Sequence, residues 1–195
     1  MVAYFGYLMC LITIQYIPID DNVAFLNIKT EEIKLDYYKV AFFSHVYTSL
    51  PILILGILQF SKLLRVKFPQ LHKKFGWGYV LLILLISAPS GFIMAVHANG
   101  GIWSKTSFVL QAILWFSFTL NALIHALKHN WKEHFNSMLR SFALTLSAIS
   151  LRLFKWIIVS TFALPPMDTY KIVSWLGWGV NILIVEIYII SKKAT

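Results

Sequence analysis

The chain has 195 residues, 58% hydrophobic and 13% charged, with a net charge of +9 and a mean hydropathy of +0.71. A soluble domain carries roughly 25% charged residues, so the composition excludes an ordinary water-exposed surface, and the length suits one compact domain over residues 1–195. Lone Cys10 excludes an intramolecular disulfide and a multi-cysteine zinc or iron–sulfur site, and the positive charge gathers between apolar runs, which speaks for membrane orientation and against nucleic acid.

In chain order, the apolar runs predict an all-α polytopic transmembrane helix bundle with about six spans, because a helix needs about 20 apolar residues to cross the hydrocarbon core. Val2–Ile17 is the first and shortest run, and Pro18 ends it. It lacks a basic leader region and a small-residue cleavage site, so it does not read as a signal peptide. Residues 18–39 form the longest polar segment, with Asp20, Asp21, Glu31, Glu32 and Asp36. The later spans are expected at Val40–Phe60, Gly76–Val96, Ser107–Leu127, Met138–Ala163 and Ile172–Ile190, with Pro165-Pro166 separating the last two. Continuous runs exclude a barrel, whose strands would alternate.

Orientation follows from Lys and Arg between the runs. Lys62, Arg65, Lys67, Lys73, Lys74, Lys128, Lys132, Arg140, Lys192 and Lys193 fall on one side. Lys29, Lys34, Lys39, Lys105 and Lys171 fall on the other, beside most of the acids. With six spans, both termini are cytoplasmic. Tyr37, Tyr38, Trp77, Tyr79, Trp103, Trp131, Tyr170 and Trp175 sit near run ends, as an interfacial aromatic belt would.

Ionisable residues inside such runs carry more information, because each costs a few kcal/mol at the bilayer centre. All six histidines fall at or near span ends. His45 and His97 lie toward the outer side, on antiparallel helices, where they could share one level. His72, His125, His129 and His134 lie toward the inner side. Neutral imidazole is the usual axial ligand of haem b, so His45 and His97 are candidate ligands for an outer haem, and His72, His125 and His134 for an inner one. The plainer reading is that span-end histidines bond to headgroups or main chain.

In the second run His45, Ser49, Gly56 and Gln59 recur at helical steps, a face that packs on a neighbour or makes room for a flat cofactor. In the fifth run Ser141, Thr145, Ala148, Arg152 and Lys155 form one stripe. Counted along an unbroken helix, Arg152 falls near the midplane. Its expected partners are Glu186, a cofactor carboxylate, an anionic substrate, or backbone carbonyls. Gln111, Trp115, Ala122, His125 and His129 form a further stripe on the fourth run. No Gly-rich phosphate loop, G-x-S-x-G elbow or H-E-x-x-H pair is present. No paired Gly/Pro interruption marks a broken helix, although Pro89-Ser90-Gly91 would kink the third run.

Several of these residues form a recognisable set. His72-Lys73-Lys74-Phe75-Gly76-Trp77-Gly78-Tyr79, the spacing of His45, Gly56, Gln59-Phe60 and Arg65, the Asn99-Gly100-Gly101 loop, His134 through Ser141, and Leu151-Arg152 resemble a family of predicted bacterial membrane proteins, catalogued as domain of unknown function twenty-three-oh-six. Lys73 stands where that family usually has Arg, and Ser137 where it has an aromatic. The resemblance covers about residues 40–155 and implies a fold, with no assigned activity. The layout is similar to cytochrome b and ferric-reductase-like haem bundles, an analogy that does not establish function.

The leading expectation is a haem b membrane redox protein of the bacterial cytoplasmic membrane, passing electrons from a donor to an outer acceptor. Arg140 or Arg152 would hold a propionate or tune the potential. A transporter or channel for a small ion or anionic solute, using Arg152, is the first alternative. A non-catalytic accessory subunit bound to a membrane partner is the second. A metal-dependent enzyme using His72, His125 and His134, with Glu133 as base, is the third.

Overall fold

The structure, a computed structural model, describes residues 2–17, 19 and 23–194; the expected break at Pro18 and the acids Asp20 and Asp21 lie outside the described residues. Helices α1 (Val2–Ile14), α2 (Asp36–Gln59), α3 (Lys62–Lys67), α4 (Pro69–Leu81), α5 (Ala88–Val96), α6 (Gly101–Leu127), α7 (Trp131–Thr145), α8 (Ser147–Phe162) and α9 (Pro166–Ala194) follow one another, with no strand among the described residues. Short 3-10 turns at Ala24–Ile28 and Glu32–Lys34 precede α2.

Local chemistry sets the boundaries. The Ser61 hydroxyl accepts the Leu64 N–H at 3.3 Å and starts α3, and Pro69 opens α4, where a missing N–H costs nothing. Gly100 and Gly101, at φ 83° and 70°, turn the chain into α6. The Asn130 side chain caps α7 by accepting from the Glu133 N–H at 3.3 Å. Between α4 and α5 the helix widens into a π-segment, Leu82–Ser87, in which the Ala88 N–H bonds the Ile83 carbonyl. Pro89 lies just beyond, and its ring cannot donate to the preceding turn. The expected kink is therefore a π-bulge inside one continuous 28-residue span, Pro69–Val96.

Of the about six spans expected, the described residues supply four or five. Among the described residues four helices are long and apolar enough to cross a membrane: Asp36–Gln59, Pro69–Val96, Gly101–Leu127 and Pro166–Lys192. A fifth is reached if the α7–α8 pair, bent by 43°, is one broken span. Helix α1 has 13 residues, about 20 Å at helical rise, short of a hydrocarbon core about 30 Å thick. The expected unbroken helix Met138–Ala163 is interrupted at Leu146 without any Gly or Pro.

The chain forms two compact units, Met1–His97 and Ala98–Thr195. In the first, Tyr16, Leu26, Tyr38, Phe42 and Phe43 make a buried aromatic cluster that ties the end of α1 and the 3-10 segment to α2. The Tyr47 hydroxyl donates to the Tyr16 carbonyl at 2.5 Å. In the second, α6 packs on α7 and α9, and α8 on α9. Its seam is polar: Ser104, Ser107, Thr119, Ser141, Ser147, Thr169 and Ser174 are all buried.

Candidate functional site

In the first unit, α2 carries His45 against the π-segment. His45 Nδ1 lies 2.9 Å from the Ser87 carbonyl oxygen. A carbonyl only accepts, so Nδ1 must carry the proton, and the lone pair of the neutral ring lies on Nε2. The Thr48 and Ser87 hydroxyls bond each other, and Ser90 donates to the Ser87 carbonyl at 3.2 Å. Gly91 makes room for the ring: a Cβ there would sit 3.0 Å from His45 Cε1. The π-segment, where helix bonding is rearranged, thus presents its carbonyl to the only histidine on α2.

His97 sits elsewhere in this unit, at the end of α5. Its Nε2 is 3.1 Å from the Tyr37 hydroxyl, and its ring packs edge-on to Tyr38 at 5.4 Å. Its carbonyl accepts from Lys29, a lysine only 1% exposed, whose ammonium also pairs with Glu32 at 2.9 Å. A lysine at a helix C-terminus satisfies a carbonyl that the helix itself cannot. Tyr38 and His45 are seven residues apart on α2, about 10 Å at helical rise, so the structure seats His97 and His45 at different levels.

Burial raises the Glu32 carboxyl, but the hydrogen bond and charge of Lys29, with the His97 field, hold it on balance below its ordinary value. His72, on α4, offers its carbonyl to Gln59 Nε2 at 3.3 Å. Gly76 lies under Gln59, where a Cβ would be 3.1 Å from the amide oxygen. The Gln59, His72 and Gly76 portion of the signature therefore clamps α2 to α4.

In the second unit, His134 docks on the turn of α6 that carries His125. His134 Nδ1 lies 2.8 Å from the Ala122 carbonyl of α6, which fixes its proton on Nδ1 by the same argument. His125 is three residues beyond Ala122, on the same face of α6, and its Nδ1 is buried with no hydrogen-bond partner. Trp131 packs edge-on to His134 at 6.2 Å and to His129 at 5.5 Å. His129, exposed and at φ 54°, closes the α6–α7 turn.

Arg140 forms a forked pair with Glu186 of α9, with Nε to Oε1 at 2.5 Å and Nη2 to Oε2 at 2.9 Å. Its cation also lies 5.8 Å from the Phe118 ring. Glu186, expected as a partner of Arg152, is thus engaged by Arg140. Arg152 lies in α8, past the break, half-buried, with Nη1 donating to the Ala148 carbonyl at 2.5 Å. The depth counted along an unbroken helix no longer applies to it.

The break at Leu146 is held by side chains that the sequence did not single out for this role. Asn181 of α9 donates to the Ala143 carbonyl at 3.0 Å and accepts from Ser150 at 2.9 Å. Gln111 donates to Ser147 at 2.5 Å, and Trp115 Nε1 to Thr145 at 3.2 Å. The Thr119 and Ser141 hydroxyls meet at 2.7 Å, and Trp178 Nε1 donates to Ser107 at 2.9 Å. Non-helical backbone is tolerated at membrane depth when protein groups satisfy it. A lone amide in the apolar run 172–190 was the available signal for Asn181. Among the described residues no group of three or more His, Cys, Asp or Glu side chains is placed to hold a metal ion.

The sequence matches the family described as Predicted membrane protein (DUF2306) over residues 42–189. That stretch runs from α2 into α9 and takes in His45, the π-segment, the His125 and His134 pair, Arg140, Asn181 and Glu186. No curated protein and no solved structure matches the chain. The chain belongs to this family and is an integral, multi-pass helical membrane protein.

Proposed function

We propose that this family member is a haem b-binding redox protein of the bacterial cytoplasmic membrane, relaying electrons between a donor and an acceptor across the bilayer. The observation that carries the reading is the inner-end pair of the second unit. His134 is oriented by the Ala122 carbonyl with its lone pair on Nε2, and the buried Nδ1 of His125, three residues beyond Ala122 on α6, has no protein partner. Metal-ligating histidines are commonly held this way, the distal N–H tied to a main-chain carbonyl. These two residues would hold the inner haem, and His45, with the same tautomer, is the candidate ligand of the first unit.

Haem b, when bound, supplies one-electron chemistry whose potential is set by axial ligands and local charge. The chain's own residues fix imidazole orientation through Ser87 and Ala122, and Gly91 of α5 makes room for the His45 ring. Arg140, held by Glu186, and Arg152 are the candidates for a propionate. The test is the absorbance and pyridine-haemochrome spectrum of the purified full chain. Stoichiometric haem b, with the inner signal lost in His134→Ala, is the expected result; a folded, colourless, iron-free preparation overturns the proposal.

A second reading, transport of a small anion, is favoured by the bend at Leu146, because broken helices line substrate sites in many transporters. Arg152 would be its binding charge. Proteoliposome anion flux abolished by Arg152→Ala supports it, and flux equal to empty vesicles rejects it.

A further inference from the structure

The link between the first two spans has a surface that neither reading uses. Phe60 ends α2, Ser61 caps the six-residue α3, and Pro69 opens α4. Because α3 joins two membrane-crossing helices, it must lie at a bilayer surface. Leu63 and Val66 are 57% and 66% exposed, and Phe68 and Leu71 are exposed beside them. Lys62, Arg65, Lys67, Lys73 and Lys74 are exposed between these apolar side chains. No Asp or Glu occurs between Asp36 and Glu133, so no acid nearby in sequence neutralises these charges.

A helix this short cannot separate the two kinds of side chain onto wide opposite faces. Leu63 and Val66 share one stripe and Lys62 and Arg65 the next, since residues three apart are neighbours. A dry protein interface would have to bury the cations with the apolar groups, at a cost that grows with desolvation. A headgroup layer offers phosphate and the first acyl carbons within a few ångströms of each other, and so satisfies both at once.

We propose that α3 and the first turns of α4 form an interfacial anchor that binds the phosphodiester headgroups of anionic phospholipids. The apolar side chains enter the acyl boundary, and the five basic side chains engage the headgroups. The anchor is independent of haem or transport, and its failure would leave both readings standing.

The test titrates delipidated full-length protein in neutral detergent with phosphatidylglycerol or phosphatidylcholine, reading bound lipid by native mass spectrometry and thermal unfolding. Phosphatidylglycerol is expected to bind and raise the transition, with an affinity that falls with salt. Phosphatidylcholine and soluble glycerol phosphate are expected to do neither. Replacing Lys62, Arg65, Lys67, Lys73 and Lys74 by Gln should weaken phosphatidylglycerol binding roughly tenfold or more.

If that variant does not fold, hydrogen exchange of residues 62–67 in wild-type nanodiscs decides: slower exchange in phosphatidylglycerol than in phosphatidylcholine is expected. Equal binding of the two lipids, unchanged binding by the variant, or equal exchange overturns the proposal. So does preferential capture of an acidic peptide over phosphatidylglycerol, which would assign the surface to a protein partner.

Discussion

At the scale of single residues, charge in this chain is paired locally. The Arg140 guanidinium matches the Glu186 carboxylate with two parallel bonds, a geometry that Lys cannot reproduce. Both side chains are partly exposed, so the pair falls between the surface limit near zero and the buried limit of 3–5 kcal/mol. Glu186→Gln leaves the arginine facing a neutral amide and should cost about 2 kcal/mol, read as a lowered thermal transition in detergent. Arg140→Gln alone should cost a similar amount, and the two changes together less than their sum.

Glu32 gives a pH dependence with a definite sign. Its carboxyl titrates below its ordinary value of 4.5, so its bond to Lys29 stabilises the fold above that pH and is lost as pH falls through the lower folded value. Protonation would leave buried Lys29 without its carboxylate partner. Protease accessibility of residues 23–35 should therefore rise below about pH 4.5 in the wild type, and should be high already at neutral pH in Glu32→Gln.

At the scale of elements, the break between α7 and α8 is the feature with most consequence. Asn181→Leu removes the amide that serves Ala143 and Ser150, leaving two polar groups unsatisfied, at about 1–3 kcal/mol. The helix should partly straighten to recover its own bonds, so hydrogen exchange at residues 143–148 should change more than exchange in α6. An unchanged exchange pattern would mean that Asn181 does not hold the bend.

The long helices were legible because a 20-residue apolar run in a membrane chain has few alternatives to a helix. The break was not, because its cause is not local. Thr145 and Ser147 look like ordinary helix residues until Trp115 and Gln111 reach them, as do Ala143 and Ser150 until Asn181 does. The π-bulge was half legible: Pro89 announced an irregularity, whereas its form depends on His45 and Ser87 meeting across α2. The histidines stood out in the sequence as candidates because few ionisable groups enter apolar runs. That His134 docks against Ala122 of α6, and that His45 and His97 occupy different levels, required the helix pairing.

At the scale of the whole molecule, the side on which the chain ends turns on whether the bent pair α7–α8 crosses or re-enters. From Trp131 to Phe162 the pair α7–α8 is long enough to cross once, with its polar start, Lys132 through Asn136, left in the headgroup layer. Crossing would put Lys192 on the same side as Lys67 and Lys132, and would gather the basic links on the face that the charge bias makes cytoplasmic. A re-entrant loop would return Pro165 to the side of Lys132 and send Lys192 across, against the charge bias. Single-cysteine variants at Lys67, Lys132, Lys192, Asn99 and Asp168, built on Cys10→Ser, separate the two with a membrane-impermeant maleimide. The first three should label only from the cytoplasmic side and the last two only from outside. Exchange of sides by Lys192 and Asp168, with Lys67, Lys132 and Asn99 unchanged, would make α7–α8 a re-entrant hairpin and leave four crossings. Arg152 would then lie near a loop tip, where a fixed charge suits solute entry better than it suits a propionate.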